Sequence, residues 1–270
     1  MIKLLAVDMD GTCVNDKKVI SEETLCALRA AAEAGILVVP TTGRALTCIP
    51  YQLMDEHFYR YIITSNGACT TDLKTNTDLD RAEIPVAEAC SLLEACKKMR
   101  IGISIHYRHQ FILQGNLLRT LGKISYGKDA EHSVSVPSIL KLLQKEQNDV
   151  EEIQLFYFSK AAKARTLALL QGDERFLQAY DTFYVELYTK AASKGHALAK
   201  LTEHLGIPRE EVACIGDAEN DFSMFEASGM KFAMGNGIEA LKQRADIVLP
   251  SNAENGVAYA IEQYLLKNNP

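Results

Sequence analysis

The first forty residues place apolar runs between polar loops in a pattern that predicts a strand, a helix and a second strand. The short apolar run at residues 4–7 has the length and polar flanks of a buried strand. Ser21 is a suitable N-cap for a helix with apolar positions at helical spacing, and Gly35 is a suitable stop. Residues 36–39 form a second apolar run, and we expect Pro40 to end it. This order indicates a βαβ unit.

The C-terminal third repeats the same order of elements. Ser193 is a suitable cap for a helix that Gly206 ends. Further apolar runs predict strands at residues 61–64, 212–215, 232–234 and 247–249 and a closing helix at residues 253–266. The two ends of the chain together predict an α/β fold with a doubly wound, mostly parallel, Rossmann-like sheet as its core.

The middle of the chain has a different pattern. Helical stretches near residues 86–99, 137–147 and 161–171 separate runs of partly alternating polarity at residues 101–107, 110–113 and 153–158. Such alternation favours an antiparallel sheet, so we expect an inserted α+β domain. The prediction is one domain from residues 1–82 and 188–270, and a cap domain from residues 83–187. Charge changes at the same place, since residues 82–187 hold 13 basic and 13 acidic residues against 16 and 22 elsewhere.

Composition restricts the possible partners. The 270 residues are 47% hydrophobic and 24% charged, and their net charge is −6, so we expect no nucleic-acid partner. No apolar run is long enough for a membrane span or for the apolar region of a signal peptide, so we expect no membrane association. Seven cysteines without a Cys-x-x-Cys pair favour a reducing compartment, the cytoplasm. A monomer and a homodimer both remain possible.

Acidic residues follow two of the predicted strands. Asp8-Met9-Asp10-Gly11-Thr12 comes at the end of the first strand, where alternate residues of an extended backbone point the same way. Residues 216–221, Gly-Asp-Ala-Glu-Asn-Asp, follow the strand at residues 212–215. Oxygen ligands of this kind suit a hard cation, and ligands of open α/β sheets bind at the carboxyl edge of the strands. Solvated turns of Asp, Asn and Gly remain the alternative.

Two further segments have the chemistry of an anion site. Thr41-Thr42-Gly43-Arg44 follows the strand at residues 36–39, where a hydroxyl and free N–H groups are able to hold an anionic oxygen. Lys194 stands at a predicted helix start, where the helix dipole disfavours a cation, so it needs an anionic partner or free solvent. Each segment alone is compatible with an ordinary turn, but all four segments fall on one plausible edge of the sheet.

These motifs together resemble the haloacid dehalogenase superfamily of phosphohydrolases, and most closely its Cof-type members with a class IIB cap. The resemblance extends to Ser65-Asn66-Gly67-Ala68, Ala233-Met234-Gly235-Asn236 and Asn255-Gly256-Val257. It covers nearly all of residues 1–81 and 188–270. The insert matches the family in position and size rather than in sequence.

The resemblance implies a phosphatase mechanism. Asp8 would attack phosphorus and form an aspartyl-phosphate, while Asp10 would serve as acid and then as base. It also implies that Asp8, the backbone carbonyl of Asp10, and Asp217 hold the metal Mg²⁺, with Asp221 in support. The phosphoryl oxygens would be bound by Thr42, Gly43 and Lys194, with Asn220 adjacent. Arg44 would lie either at the substrate or in a structural ion pair. The implied substrate is a small phosphorylated metabolite such as a sugar phosphate, flavin mononucleotide (FMN) or pyridoxal phosphate.

Two other functions remain open at this point. A phosphomutase on the same scaffold would return the phosphoryl group to its substrate. A non-catalytic phospho-ligand sensor or receiver-like switch would also use Asp, Thr and Lys, although a receiver domain lacks both the insert and an acid two residues after its Asp. Residues 106–109, His-Tyr-Arg-His, either contact a polar substrate from a cap hairpin or form a solvated turn.

Overall fold

The computed structural model describes residues 1–267, so the last three residues of the expected domain 188–270 lie outside the described part. The chain divides into two compact units. The first comprises Met1–Gly43, Pro50–Asp80 and the described residues from Ser193 onward. The second comprises Arg44–Ile49 and Arg81–Ala192. The longer segment of the second unit, Arg81–Ala192, begins two residues before the expected cap and ends five residues after it. The shorter segment, Arg44–Ile49, was assigned by the sequence to the core.

The first unit is built on an eight-stranded sheet in the order β14-β13-β12-β1-β2-β3-β4-β5. Its strands are β1 (Leu4–Asp8), β2 (Leu37–Thr41), β3 (Tyr61–Thr64), β4 (Cys69–Asp72), β5 (Thr77–Arg81), β12 (Val212–Gly216), β13 (Met230–Ala233) and β14 (Ile247–Val248). Neighbours from β14 to β3 pair in parallel, whereas β3 and β4 are antiparallel. The predicted mostly parallel α/β core is therefore confirmed.

Helices pack on this sheet because its strands are apolar on both faces. Leu4 and Ala6 of β1 pack with Leu198 and Leu201 in one core cluster, and Leu5, between them along the strand, is equally buried. The helices of the unit are α1 (Glu22–Glu33), α2 (Tyr51–Met54), α7 (Lys194–Leu205), α8 (Phe222–Ala227), α9 (Glu239–Lys242) and α10 (Gly256–Ala260). The expected closing helix is interrupted, because Asn255 has a positive φ of 58°.

The second unit is an α+β domain with a six-stranded sheet in the order β10-β11-β9-β6-β7-β8. The strands are β6 (Gly102–Tyr107), β7 (Gln110–Gln114), β8 (Val134–Val136), β9 (Glu152–Phe156), β10 (Phe176–Tyr180) and β11 (Tyr184–Thr189). The helices are α3 (Val86–Cys96), α4 (Asn116–Tyr126), α5 (Ile139–Glu146) and α6 (Lys160–Leu170). All pairs are antiparallel except β7 with β8.

The two faces of the second sheet differ in polarity. One face carries Ile105, Ile153 and Leu187, which join α3 and α5 in the core of this unit. On the other face Ser104, Gln154 and Glu186 lie directly opposite one another on β6, β9 and β11. A neighbouring row on the same face places His106 opposite Glu152, and Tyr188 of β11 shares this face with Glu186 by alternation along the strand. We call the residues of these two rows the polar face. Among residues 1–267 no helix is long and apolar enough to cross a membrane.

Candidate active site

The end of β1 places Asp8 in a buried cluster of charged side chains. Lys194 donates hydrogen bonds to Oδ1 of Asp8 at 2.5 Å and to Oδ1 of Asp221 at 2.7 Å. Lys194 is 1% exposed and Asp8 4%, so the ammonium group satisfies both carboxylates away from solvent. The sequence indicated that a cation at the start of α7 needs an anionic partner or free solvent, and Lys194 has two anionic partners.

Gly11 allows Asp217 to approach the first motif. Its φ of 81° lies in the left-handed region, and a Cβ at this position would overlap the Asp217 carboxylate. Thr12, which is buried, donates a hydrogen bond from Oγ1 to Oδ1 of Asp217 at 2.9 Å. The loop after β1 therefore fixes the position of an acid that lies more than 200 residues away in the sequence.

Asp221 organises the loop after β12. Its Oδ2 accepts hydrogen bonds from the backbone N–H groups of Asp217 at 2.8 Å and Ala218 at 3.0 Å, while its Oδ1 accepts from Lys194. Gly216 is required here because a Cβ would lie about 2.5 Å from the Asp221 carboxylate. Asp221 thus connects the loop that bears Asp217 to the ammonium group that contacts Asp8.

The cluster carries more negative than positive charge. Ligand oxygens of Asp8, Asp217 and Asp221 all lie within 4.8 Å of one another. Burial raises the pKa of Asp8 well above its usual range; Lys194 opposes this effect, and the carboxylates of Asp221 and Asp217 add to it. Burial also raises the pKa of Asp217, against the hydrogen bond from Thr12. Three oxygen donors with only one cation among them fit a hard divalent metal ion, which would supply the missing positive charge.

Lys194 remains a cation in this cluster. Burial lowers the pKa of Lys194, but the attraction of Asp221 and Asp8 and the two hydrogen bonds outweigh that effect, so the pKa is raised overall. The ammonium group therefore provides a permanent positive charge next to Asp8.

The other expected residues of the site occupy several positions. Asp10 is exposed, two residues beyond Asp8, and its carboxylate does not belong to the cluster described above. Thr42 is buried at the end of β2, where its N–H donates to the carbonyl of Ile63. Gly43 follows it, and Asn220 lies in the loop after β12. The residues Asp8, Thr42, Gly43, Lys194, Asp217, Asn220 and Asp221 all lie at or just after strand ends or begin a helix of the first unit.

Arg44 belongs to the second unit and forms an ion pair there. Its Nη1 lies 2.6 Å from Oδ2 of Asp129 and donates to the carbonyl of Cys48 at 3.0 Å. Both charged side chains are nearly buried, at 9% and 5% exposure. The sequence left two roles open for Arg44, a substrate contact and a structural ion pair. The contact with Asp129 corresponds to the structural ion pair.

The stretch at residues 106–109 spans the end of β6 and the turn to β7. His106 and Tyr107 are buried, and burial lowers the pKa of His106 to about 3, so this imidazole is neutral near pH 7. The two turn residues, Arg108 and His109, have positive φ angles of 50° and 67°. The hairpin expected from the sequence is present, but only its first half is buried.

Three residues that support the site received no role from the sequence. Thr12 bonds to Asp217, as described above. Asn66 accepts a hydrogen bond at Oδ1 from Nδ2 of Asn220 at 3.0 Å. Asn236 donates from Nδ2 to the carbonyl of Gly11 at 2.8 Å. Each of them lies in a stretch that carries the family resemblance, which was the only available signal, because their partners are distant in the sequence.

Comparisons with known proteins show which proteins this chain is similar to. The family of haloacid dehalogenase-like hydrolases matches residues 5–261. The phosphatase YwpJ of Bacillus subtilis (strain 168) is 31% identical, with 98% of this chain and 100% of the relative covered. The 5-amino-6-(5-phospho-D-ribitylamino)uracil phosphatase YwtE of the same organism is 30% identical, with 98% of each chain covered.

A solved structure has the same fold along the whole chain. A haloacid dehalogenase-like hydrolase from B. subtilis superimposes with a TM-score of 0.83 at 29% identity, and 98% of this chain and 100% of that chain are covered. The family match and the relatives also establish the class of reaction. The chain therefore belongs to the haloacid dehalogenase-like hydrolases as a Cof-type phosphatase, a phosphoric monoester hydrolase.

Proposed function

We propose that this phosphatase is Mg²⁺-dependent and acts through an aspartyl-phosphate on Asp8. The observation that supports this most is the buried cluster at the end of β1. There Asp8 accepts a hydrogen bond from Lys194, and carboxylate oxygens of Asp8, Asp217 and Asp221 lie within 4.8 Å of one another. Phosphoryl transfer depends mainly on positioning and on neutralising charge at the phosphoryl oxygens. A carboxylate surrounded by a fixed cation and a cation-binding donor set suits that chemistry.

In the first step, an oxygen of Asp8 attacks phosphorus and the bond from phosphorus to the leaving oxygen breaks. Asp10 gives its proton to that oxygen, so the leaving group departs as a neutral alcohol. The exposed position of Asp10, two residues beyond Asp8, suits a group that meets both substrate and water. Lys194 stays charged throughout and offsets negative charge next to Asp8.

In the second step, water attacks phosphorus of the aspartyl-phosphate and gives a proton to Asp10. The bond from phosphorus to Asp8 breaks, phosphate leaves, and both carboxyl groups return to their starting states. Thr42, Gly43 and Asn220 would bind the phosphoryl oxygens with Lys194. Asp8, Asp217 and the backbone carbonyl of Asp10 would hold the metal, with Asp221 fixing the loop behind it. When bound, Mg²⁺ supplies positive charge that stabilises the phosphoryl oxygens.

The second unit is the candidate for substrate selection. Its polar face carries hydrogen-bonding side chains on three adjacent strands, of which Gln154, Glu186 and Tyr188 are partly exposed, whereas the opposite face is closed by helices. The partly exposed Gln154 and Glu186 suit a leaving group rich in hydroxyl or amine groups. We therefore propose a sugar phosphate or a related phosphorylated polyol as the substrate. The relative YwtE is named for a phosphoribitylamino compound, which has this character.

The test is release of inorganic phosphate from a panel of sugar phosphates, a phosphoribitylamino pyrimidine, FMN and pyridoxal phosphate, with Mg²⁺ and with excess chelator. We expect turnover of the polyol and sugar esters, lost in chelator and restored by added Mg²⁺. Equal activity in chelator would contradict the metal dependence. Interconversion of phosphate isomers without free phosphate would favour the phosphomutase, and saturable binding without turnover would favour the sensor.

A further inference from the structure

The turn after β3 has an unusual backbone for a buried segment. Ser65, Asn66 and Gly67 have consecutive φ angles of 51°, 54° and 93°. The left-handed region is natural for glycine and tolerated by asparagine, but it is costly for serine. Ser65 is fully buried and Asn66 is 4% exposed. Such a conformation persists only where the contacts of the turn require it.

Asn66 contacts the segment after β2 through both its backbone and its side chain. Its N–H donates to the carbonyl of Thr42 at 3.1 Å. A Cβ built on Gly43 would lie 3.0 Å from Oδ1 and 3.1 Å from Nδ2 of Asn66. The carboxamide therefore packs directly against the Gly43 backbone, where a larger residue would have to displace it.

The same turn also reaches the segments that bear Asn220 and Lys194. Oδ1 of Asn66 accepts the hydrogen bond from Nδ2 of Asn220, which is itself an exposed residue. Gly67 packs against the backbone where α7 begins, and a Cβ there would overlap the Ser193 carbonyl. One turn thus touches all three segments that carry the proposed phosphate-binding groups.

We infer that Asn66 is a positioning residue for phosphate binding, which holds the Asn220 carboxamide and the Thr42–Gly43 backbone in one arrangement. This inference rests on the proposed function. An exposed asparagine side chain without a fixed acceptor would sample several rotamers, and ordering it on binding would cost entropy. The hydrogen bond to Asn66 orders Asn220 before the phosphoryl group arrives. Asn66 itself acts through these two neighbours.

The first test is Asn66→Gly, because glycine keeps the left-handed backbone and the N–H while removing the carboxamide. We expect the kcat/KM to fall by about tenfold and the Kd for inorganic phosphate, measured by calorimetry, to rise by a similar factor. The matched control is Asn255→Gly. Asn255 also has a positive φ, of 58°, and its carboxamide bonds to Ser21 and Glu23. The control should lose stability without any change in phosphate affinity.

The second test is the double variant with Asn220→Ala. If Asn66 acts through Asn220, the loss in phosphate affinity for the pair falls clearly short of the product of the two single losses. Full additivity, or an unchanged phosphate Kd in a folded Asn66→Gly protein, would overturn the inference. The calorimetric comparison needs no turnover. A wild type that binds phosphate but releases none from any ester would overturn the proposed function, and the same Kd values would still decide the role of Asn66.

Discussion

The two units differ in where their buried charged side chains lie. In the first unit, Asp8, Lys194 and Asp221 converge at the carboxyl ends of two neighbouring parallel strands. In the second unit, Arg44 pairs with Asp129, while His106 lies opposite Glu152 on neighbouring strands. Within the described residues, no group of three His, Cys, Asp or Glu side chains suited to a metal lies wholly in the second unit.

Sheet direction accounts for this difference. Parallel strands bring all their carboxyl ends to one edge, so motifs that are distant in the sequence gather there. Antiparallel neighbours send alternate ends to opposite edges, so their polar residues gather instead in rows across a face. The first arrangement suits a concentrated reactive site, and the second suits an extended surface that is able to vary with the substrate.

The largest effect is expected at Asp8. Asp8→Asn should lower kcat by more than about 10³-fold, because an amide does not attack phosphorus. The fold should persist, because the amide oxygen still accepts a hydrogen bond from Lys194. Lys194 also keeps its hydrogen bond to Asp221. Steady-state kinetics with a melting curve checks both statements. Asp55→Asn changes an exposed aspartate of the same unit and should leave kcat unaltered. Turnover of Asp8→Asn within tenfold of the wild type would count against the covalent mechanism.

An intermediate effect is expected at Asp217. Asp217→Asn keeps an oxygen for the hydrogen bond from Thr12 but removes a negative charge from the donor set. The Mg²⁺ concentration for half-maximal activity should rise by about tenfold or more. A Mg²⁺ titration of the variant beside Asp55→Asn measures this shift. Unchanged Mg²⁺ dependence would remove Asp217 from the metal site.

The smallest effect is expected on the polar face. Glu186→Gln is isosteric and removes one negative charge opposite Gln154. It should change kcat/KM by about two- to fivefold, by factors that differ among substrates and so reorder the panel. Glu174→Gln is the control, since Glu174 is an exposed loop residue of the same unit. If Glu186→Gln scales every substrate by one common factor, the proposed role of this face in selection is wrong.

The sequence predicted the segments whose patterns are local. The strand Tyr61–Thr64 was predicted at its observed limits, and Ser193 caps α7 by accepting from the N–H of His196, as expected. Pro40 was expected to end the second strand, but β2 continues to Thr41. A proline lacks only the backbone N–H donor, so the strand is able to continue past it. Thr41, the residue after Pro40, pairs with Ile63 of β3.

Other elements depend on contacts that a linear pattern does not contain. The strand β4 reads Cys-Thr-Thr-Asp and is buried, with Thr71 bonded to Asp78 and Asp72 bonded to Arg60. Because most of its residues are polar, this segment lacks the alternation of apolar and polar positions that identifies a strand. The expected end of the cap at residue 187 falls inside β11 (Tyr184–Thr189). For the site, the motifs identified the charged residues, but only the fold reveals that Asp221 links Lys194 to the Asp217 loop.

The most direct test of the central claim is to trap the phosphorylated carboxylate. In Asp10→Asn, 4-nitrophenyl phosphate should still phosphorylate Asp8, since nitrophenolate leaves without a proton, but hydrolysis of the intermediate should be slow. We expect a burst of one nitrophenolate per enzyme and, after acid quenching and digestion, a single added phosphoryl group on the peptide that contains Asp8. That peptide should stay unlabelled in Asp8→Asn. Steady turnover without a burst or a labelled peptide, or a phosphoryl group on another residue, would contradict the account.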